Sequence, residues 1–109
     1  MISGVVFVFT SNVDGLHARG DAWRAVEEFG AQIGQAAGRQ GESYAIPTEN
    51  HNRQRLASQQ LRQYVEAFLD HAREHPEEMF QLAPAFSDPF LKPHFYHAPS
   101  NVLRPEGWD

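Results

Sequence analysis

The first apolar segment of this chain leads directly into a short polar loop that contains two glycines and precedes a helix. Residues 5–10, VVFVFT, form an unbroken run of β-branched and aromatic side chains with a terminal threonine. Such a run is typical of a central strand that is buried on both faces of a parallel sheet. Because helices must then cover both faces, this segment alone favours an α/β fold.

Two amphipathic helices are predicted. The first begins with Asp21 as its N-cap and ends near Phe29, where several glycines follow. The second begins with Ser58 as its N-cap and spans residues 58–75, and Pro76 ends it. The apolar residues that recur at helical spacing are Ala22, Val26, Phe29 and Ile33 in the first helix and Leu61, Val65, Phe68 and Ala72 in the second.

Further strands are predicted between and after these helices. Residues 43–47 form the second strand, which Pro47 ends, and residues 79–83 form the third. A short edge strand is expected within residues 101–105. Since strands that alternate with helices need crossover connections, we expect a small, mostly parallel sheet in a single domain that comprises residues 1–109.

Composition excludes several classes of function. The formal net charge of −5 disfavours a surface that grips nucleic-acid phosphates, because such a surface requires clustered basic residues. The absence of cysteine excludes disulfides and thiol chemistry. No apolar run approaches the roughly 20 residues that span a bilayer, and the first strand begins without a charged leader. We therefore expect a cytoplasmic protein that binds neither nucleic acid nor a membrane.

The loop after the first strand is the strongest candidate for a binding site. Its glycines permit a close approach of the backbone to a ligand, and the helix that follows offers free N–H groups. Its acidic side chains, Asp14 and Asp21, suit ribose hydroxyls or a cation-bridged ligand better than a bare phosphate. The alternative is an ordinary connecting loop, since glycine and asparagine are common in turns. The candidate ligand-binding residues are Ser11, Asn12, Gly15, His17, Gly20 and Asp21.

A second polar loop, TENHNR, follows the strand at 43–47 and occupies residues 48–53. We expect this loop at the carboxyl end of that strand. Its residues match no specific chemical motif.

The sequence HAREH at residues 71–75 matches an H-x-x-E-H zinc motif. It lies in the last turn of the second predicted helix, where histidine and arginine also favour the helix dipole. Ser11, His17 and either Asp14 or Asp21 can be arranged on paper as a catalytic triad. Residues this close in one loop seldom reach the geometry that a triad requires. We therefore expect no metal and no catalytic residues.

Several stretches, in the same order along the chain, resemble a family of small phage and prophage proteins. The pattern of that family is similar to a trimmed macro domain, the α/β module that binds ADP-ribose. The resemblance covers residues 5–82. It is carried by FVFTSN at 7–12, the loop at 15–20 with His17, FGA at 29–31, Gly41, SYAIPT at 43–48, and YVxxFL leading into AREHP within 64–76.

This resemblance implies a macro-like scaffold and a ligand of the nucleotide or ADP-ribose type. By the same resemblance, Asn12 matches the loop asparagine beside the distal ribose. The loop backbone of the family is matched by Gly15, His17 and Gly20.

Three departures from the family pattern concern the same site. Thr10 stands where the family has glycine, and Ala18, Arg19 and Asp21 add bulk and charge where it has small residues. Residues 84–90 contain no glycine where the family has a phosphate-cradling loop. A backbone without glycine cannot approach a diphosphate as closely. We therefore expect a phage-associated, non-catalytic binding protein without a cofactor, which retains a nucleotide or ADP-ribose-type pocket.

The alternative is a protein-interaction module, such as a phage inhibitor of a host defence complex. Residues 84–109 form an irregular aromatic and proline-rich tail, which either covers the core or contacts a partner. In this alternative an acidic surface and the tail contact a host protein, or a second copy of the chain in a homodimer. The tail residues expected at such an interaction surface are Phe86, Phe90, Phe95 and Tyr96.

Overall fold

A mostly parallel sheet of five strands, with one helix on each face, forms the centre of the fold. The computed structural model describes residues 5–18, 20–105 and 108. The elements are β1 (Val5–Asn12), α1 (Gly20–Phe29), β2 (Gly38–Gln40), β3 (Ser43–Glu49), α2 (Ser58–Glu74), β4 (Met79–Leu82), two 3₁₀ helices (Pro84–Ser87 and Lys92–Phe95) and β5 (Val102–Leu103). The strand order is β2-β3-β1-β4-β5, and β2 is antiparallel to β3 while the other pairs are parallel. The predicted α/β class is therefore confirmed.

The two helices lie on opposite faces of the sheet, and the contacts of β1 show this arrangement. The Phe7 ring stacks on Phe29 of α1, with centroids 4.7 Å apart. The next residue, Val8, pairs with Tyr44 of β3, whose ring meets Phe68 of α2 at 5.0 Å. Since successive residues of a strand point to opposite faces, α1 and α2 cover opposite sides. The three layers bury the centre of β1 almost completely.

The structure confirms α2 and corrects the start of both helices. Helix α2 is one residue shorter than predicted, and its predicted apolar face is buried. Ser58 is its first helical residue, and Ala57 is an N-cap without a side-chain hydrogen bond. Asp21 likewise lies inside the first turn of α1 rather than at its cap, because the helix begins at Gly20. Ile33 lies beyond α1 and is 63 % exposed, so it is not part of the apolar face.

Two parts of the sheet differ from the prediction. Strand β2 lies in the glycine-rich segment 30–41, and its hairpin to β3 turns at Gly41, whose φ is +61°. A Cβ at Gly41 would lie 2.9 Å from the carbonyl oxygens of Phe29 and Gly30, so this turn requires glycine. Strand β3 also continues two residues beyond Pro47. Because β2 pairs only with the first half of β3, Pro47 has no described strand beside it on that side, and proline is tolerated there.

The segment after β4 covers the α2 side of the core. Its two 3₁₀ helices lead to β5, which adds the predicted edge strand beside β4. The prediction of an exposed four-ring surface is wrong for Phe86 and Phe95, which are 0 % and 1 % exposed. Their rings pack against each other at 5.2 Å and close the part of this face that α2 leaves uncovered. Phe90 and Tyr96 remain exposed.

A matched pair of phenylalanines tests this placement of the tail. Phe86→Ala removes a fully buried ring and should lower the free energy of unfolding by about 3–5 kcal/mol. Phe90→Ala removes a mostly exposed ring and should change it by less than about 1 kcal/mol. Urea denaturation followed by circular dichroism measures both variants. Equal losses, or a larger loss at Phe90, would contradict the placement.

Candidate functional site

The carboxyl ends of β1, β3 and β4 meet at one edge of the sheet, because these three strands are parallel. From this edge the chain leaves β1 toward α1 on one face. After β4 the chain turns to the other face of the sheet, which α2 covers. The contacts of Phe86 show this, because its ring packs on Phe95 and the Phe95 ring packs on Phe68 of α2. Adjacent parallel strands whose connections go to opposite faces leave a crevice between them, and open α/β sheets bind ligands there.

Two adjoining hollows form a site at this edge, which we call the carboxyl-edge cleft. Their volumes are about 200 and 280 Å³, so together they suit a ligand of metabolite size. The first hollow extends along the loop after β1 to the first turn of α1, and the second extends to the 3₁₀ helix after β4. The residues common to both are Thr10, Thr48, Glu49 and Arg53.

Arg53 is held in the cleft by a tightly hydrogen-bonded loop between β3 and α2. The Asn50 side-chain oxygen accepts hydrogen bonds from the backbone N–H groups of Asn52 and Gln54 at 2.8 and 3.1 Å. The N–H of Arg53 donates to the Asn50 carbonyl at 3.1 Å. These bonds hold Arg53 at a φ of +62°, a left-handed conformation that costs an L-residue about 1–2 kcal/mol. The Arg53 guanidinium itself has no partner among the described residues.

The cleft also presents an unpaired carboxylate. The side chain of Glu49 has neither an ion pair nor a hydrogen bond within the described ranges, although it lines both hollows with Arg53. Arg55 and Asp88, by contrast, pair with each other at 3.2 Å at the far end of the second hollow. A guanidinium binds phosphate or carboxylate groups, and a carboxylate accepts hydrogen bonds from hydroxyls. The cleft therefore suits a ligand that carries both an anionic group and hydroxyls.

Two of the predicted site residues, Ser11 and Asn12, line the first hollow, but their side-chain polar atoms are hydrogen-bonded to the protein backbone. The Asn12 side-chain oxygen accepts from the N–H groups of Asp14 and Leu16, both at 3.1 Å, and its amide donates to the Leu16 carbonyl at 3.2 Å. The Ser11 hydroxyl donates to the Ala36 carbonyl at 2.5 Å. Both residues thus fix the wall of the cleft.

Gly15 and His17 lie outside the cleft and join the loop to the segment before β2. His17 is 1 % exposed, and its Nε2 donates toward the Gln35 carbonyl at 3.0 Å and the Gln40 side-chain oxygen at 3.2 Å. A Cβ at Gly15 would lie 2.6 Å from the carbonyl carbon of Gly34, so a backbone contact within the protein requires this glycine. The structure does not bring either residue to a ligand-accessible surface.

The remaining predicted residues, Gly20 and Asp21, belong to the first turn of α1 and do not line the cleft. Glu49 and Arg53 line the cleft but are not among the residues predicted for the site from the sequence. The sequence does contain a signal for these two residues, because the polar segment 48–53 directly follows a predicted strand. In a parallel sheet, such a segment lies at the carboxyl edge, where ligands bind.

The H-x-x-E-H motif forms part of an ion-pair cluster at the opposite end of α2. Arg39 donates two hydrogen bonds to the Glu78 carboxylate, at 2.8 and 3.1 Å, and its guanidinium lies 3.4 Å from His71 Nε2. The potential ligand atoms of His75, Glu77 and Glu78 lie within 4.8 Å of one another. Since Arg39 already occupies both oxygens of Glu78, the geometry is that of a paired carboxylate rather than a metal ligand.

Comparison with protein-family models, curated proteins and solved structures finds no match to this chain. Neither described helix has the length and apolar character needed to cross a membrane. The functional assignment therefore depends on the geometry and chemistry of the carboxyl-edge cleft.

A pair of glycine variants tests the structural role of the loop. Gly15→Ala and Gly20→Ala both place a side chain at a positive φ, which costs about 1–2 kcal/mol. Only Gly15→Ala also forces a Cβ against the backbone of Gly34, whereas Gly20 faces open space. Gly15→Ala should therefore lose about 1–3 kcal/mol more than Gly20→Ala in urea denaturation. A smaller loss at Gly15 would contradict the contact.

The ion-pair cluster should make the protein less stable in mild acid. Burial, and the neighbouring charges of His75 and Arg39, lower the pKa of His71. The unfolded chain therefore takes up a proton below about pH 6.5 that the folded protein resists, so the free energy of unfolding falls as the pH falls. Between pH 7 and 5, His71→Phe should flatten this decrease relative to the wild type. A decrease that is as steep in His71→Phe as in the wild type would refute the assignment.

Proposed function

We propose that this protein binds a small nucleotide-type ligand, represented by ADP-ribose, in the carboxyl-edge cleft. The observation that carries the proposal is the pair of unpartnered, oppositely charged side chains, Glu49 and Arg53, which line both hollows without pairing among the described residues. Arg53 suits a phosphate and Glu49 suits ribose hydroxyls. A nucleotide carries both groups a short distance apart.

The position of the cleft supports the same ligand class. Parallel α/β sheets bind nucleotides at the carboxyl ends of their strands. The first turn of α1 reaches the cleft at Ala22, so its free N–H groups and positive dipole end favour an anion nearby. The strained backbone of Arg53 is a further sign, because such strain is concentrated at binding and catalytic sites.

The resemblance to phage proteins and to the macro domain fits this proposal, since macro domains bind ADP-ribose. On this basis we propose a phage-associated protein that acts in the cytoplasm of the host cell. The proposed activity is binding without catalysis, because the amide of Asn12 is hydrogen-bonded within its own loop. The alternative of an interaction surface built from the aromatic tail loses support, because Phe86 and Phe95 are buried.

Ligand binding by the wild type and a variant tests the proposal. ADP-ribose at about 100 times its dissociation constant should stabilise the wild type by about 2.7 kcal/mol in thermal unfolding. Arg53→Gln should weaken binding about tenfold to a hundredfold in calorimetry, because a hydrogen bond to a charged group contributes about 1.5–3 kcal/mol. The matched control is Arg62→Gln, which removes the same charge from α2 outside the cleft. No stabilisation of the wild type, or equal weakening in both variants, would refute the proposal.

Arg53→Gly separates stability from binding. Glycine adopts a positive φ without steric cost, so this change should raise the free energy of unfolding by about 0.5–1 kcal/mol after the extra chain entropy of glycine is included. The same variant should lose ADP-ribose binding, because the guanidinium is absent. Urea denaturation and calorimetry give the two readouts. A stabilised variant that binds as tightly as the wild type would exclude Arg53 from the site.

A further inference from the structure

The second hollow of the carboxyl-edge cleft ends at an arginine that lies over an aromatic ring. The guanidinium carbon of Arg55 is 4.1 Å from the centre of the Phe90 ring, well within the range of a cation–π contact. Nη2 of Arg55 also donates a hydrogen bond to the Asp88 carboxylate at 3.2 Å. That carboxylate accepts the backbone N–H of Phe90 at 2.8 Å. Asp88 therefore holds both members of this arginine–phenylalanine stack.

One face of the Arg55 guanidinium remains available from the hollow. The guanidinium is planar and its N–H groups lie in its plane, so Asp88 occupies an edge and the Phe90 ring occupies one face. The Arg55 side chain is still 46 % exposed and lines the second hollow, whereas Phe90 is not among the described residues that line it. A planar group that enters this hollow therefore meets the second face of the guanidinium.

The neighbours of Arg55 at this end of the hollow suit an aromatic ring. Ala85 and Leu91 line the second hollow but not the first, as Arg55 and Asp88 do. Apolar walls suit a flat ring better than a phosphate, because a phosphate loses its hydration there without gaining hydrogen bonds. Proteins stack nucleobases on aromatic side chains and on arginine guanidinium planes.

The order of the charged groups along the cleft matches the order of the parts of a nucleotide. Arg53 and Arg55 are two residues apart, so their Cα atoms are separated by at most about 7 Å. Glu49 forms a backbone bridge with Arg55 and lines both hollows. A phosphate at Arg53, ribose hydroxyls at Glu49 and a base at Arg55 thus follow one another within the span of one nucleotide.

We propose that the second hollow is a nucleobase subsite, in which the base of the bound nucleotide stacks on the open face of Arg55. This inference rests on the proposed function and adds the part of the ligand for which the cleft selects. Arg53 and Glu49 recognise any ribose phosphate, whereas Arg55 recognises the base. Phe90 and Asp88 are positioning residues, because they hold the guanidinium and do not touch the ligand.

Calorimetry with AMP and ribose 5-phosphate tests the proposal, because these ligands share the phosphate and the ribose and differ in the base. The wild type should bind AMP at least tenfold more tightly than ribose 5-phosphate. Arg55→Lys keeps the charge that pairs with Asp88 but loses the planar face. It should weaken the binding of AMP and of ADP-ribose at least fivefold and leave that of ribose 5-phosphate unchanged. The matched control is Arg62→Lys, outside the cleft, which should leave all three affinities unchanged.

Phe90→Ala tests the positioning role. It removes the ring behind the guanidinium and leaves Arg55 and Asp88 in place, so it should weaken AMP at least twofold and ribose 5-phosphate not at all. The mostly exposed Tyr96→Ala, on the same tail, should change neither affinity. Equal effects of the two substitutions on AMP would exclude Phe90 from this role.

Failure of the subsite is distinguishable from failure of the proposed function. If the wild type does not bind ADP-ribose, both fail. If ADP-ribose binds but AMP and ribose 5-phosphate bind equally tightly, the proposed function stands and the nucleobase subsite is overturned. Equal weakening of AMP and ribose 5-phosphate by Arg55→Lys also overturns it, because Arg55 then contacts the phosphate. If both short ligands bind too weakly to measure, an ADP-ribose affinity that Arg55→Lys leaves unchanged overturns the subsite.

Discussion

The pairing of β1 with a parallel neighbour on each side holds the rest of the structure in place. β1 pairs with β3 over six residues and with β4 over four, and Val6, Val8 and Phe9 are fully buried between the two helical layers. Backbone hydrogen bonds and apolar burial therefore act on the same short segment. Because all three strands run in one direction, their carboxyl ends converge, and the cleft follows from this pairing.

The loop after β1 has a structural role that its composition does not reveal. Asn12 fixes its turn, and His17 joins it to Gln35 and Gln40 beneath the surface. A loop that is tied down in this way forms a rigid wall. The charged groups that can contact a ligand come instead from the loop after β3, where Arg53 is held at a positive φ. One edge of the sheet thus combines a fixed wall with unpaired charges.

The parts of the fold that the sequence predicts are those with strong local periodicity. The apolar run of β1 and the face of α2 each bury side chains at regular spacing, so one pattern indicates both the element and its orientation. β2 has only three residues, which is too few for a recognisable periodic pattern. It forms because the chain turns at Gly41 and pairs with β3, and this pairing is not visible in the local sequence. Phe86 and Phe90 are four residues apart in similar sequence, and tertiary packing alone buries one and exposes the other.

Only the part of the candidate site that directly follows a recognisable strand was predicted from the sequence. Ser11 and Asn12 follow a recognisable strand, and they do line the cleft. Arg53 becomes a site residue only through the parallel pairing of β1 and β3, which brings two distant loops to one edge. A single sequence gives the residues of each loop, but the convergence of the two loops depends on sheet order.

The most direct test of the central claim is a titration of the isotope-labelled protein with ADP-ribose, followed by amide ¹H–¹⁵N spectra. If ADP-ribose binds in the carboxyl-edge cleft, the signals of Thr10, Glu49 and Arg53 should shift progressively and saturably. The signals of Phe7 and of the outer face of α2 should stay unchanged. The absence of shifts up to millimolar ADP-ribose, or shifts that leave the carboxyl-edge cleft unaffected, would contradict binding at this site.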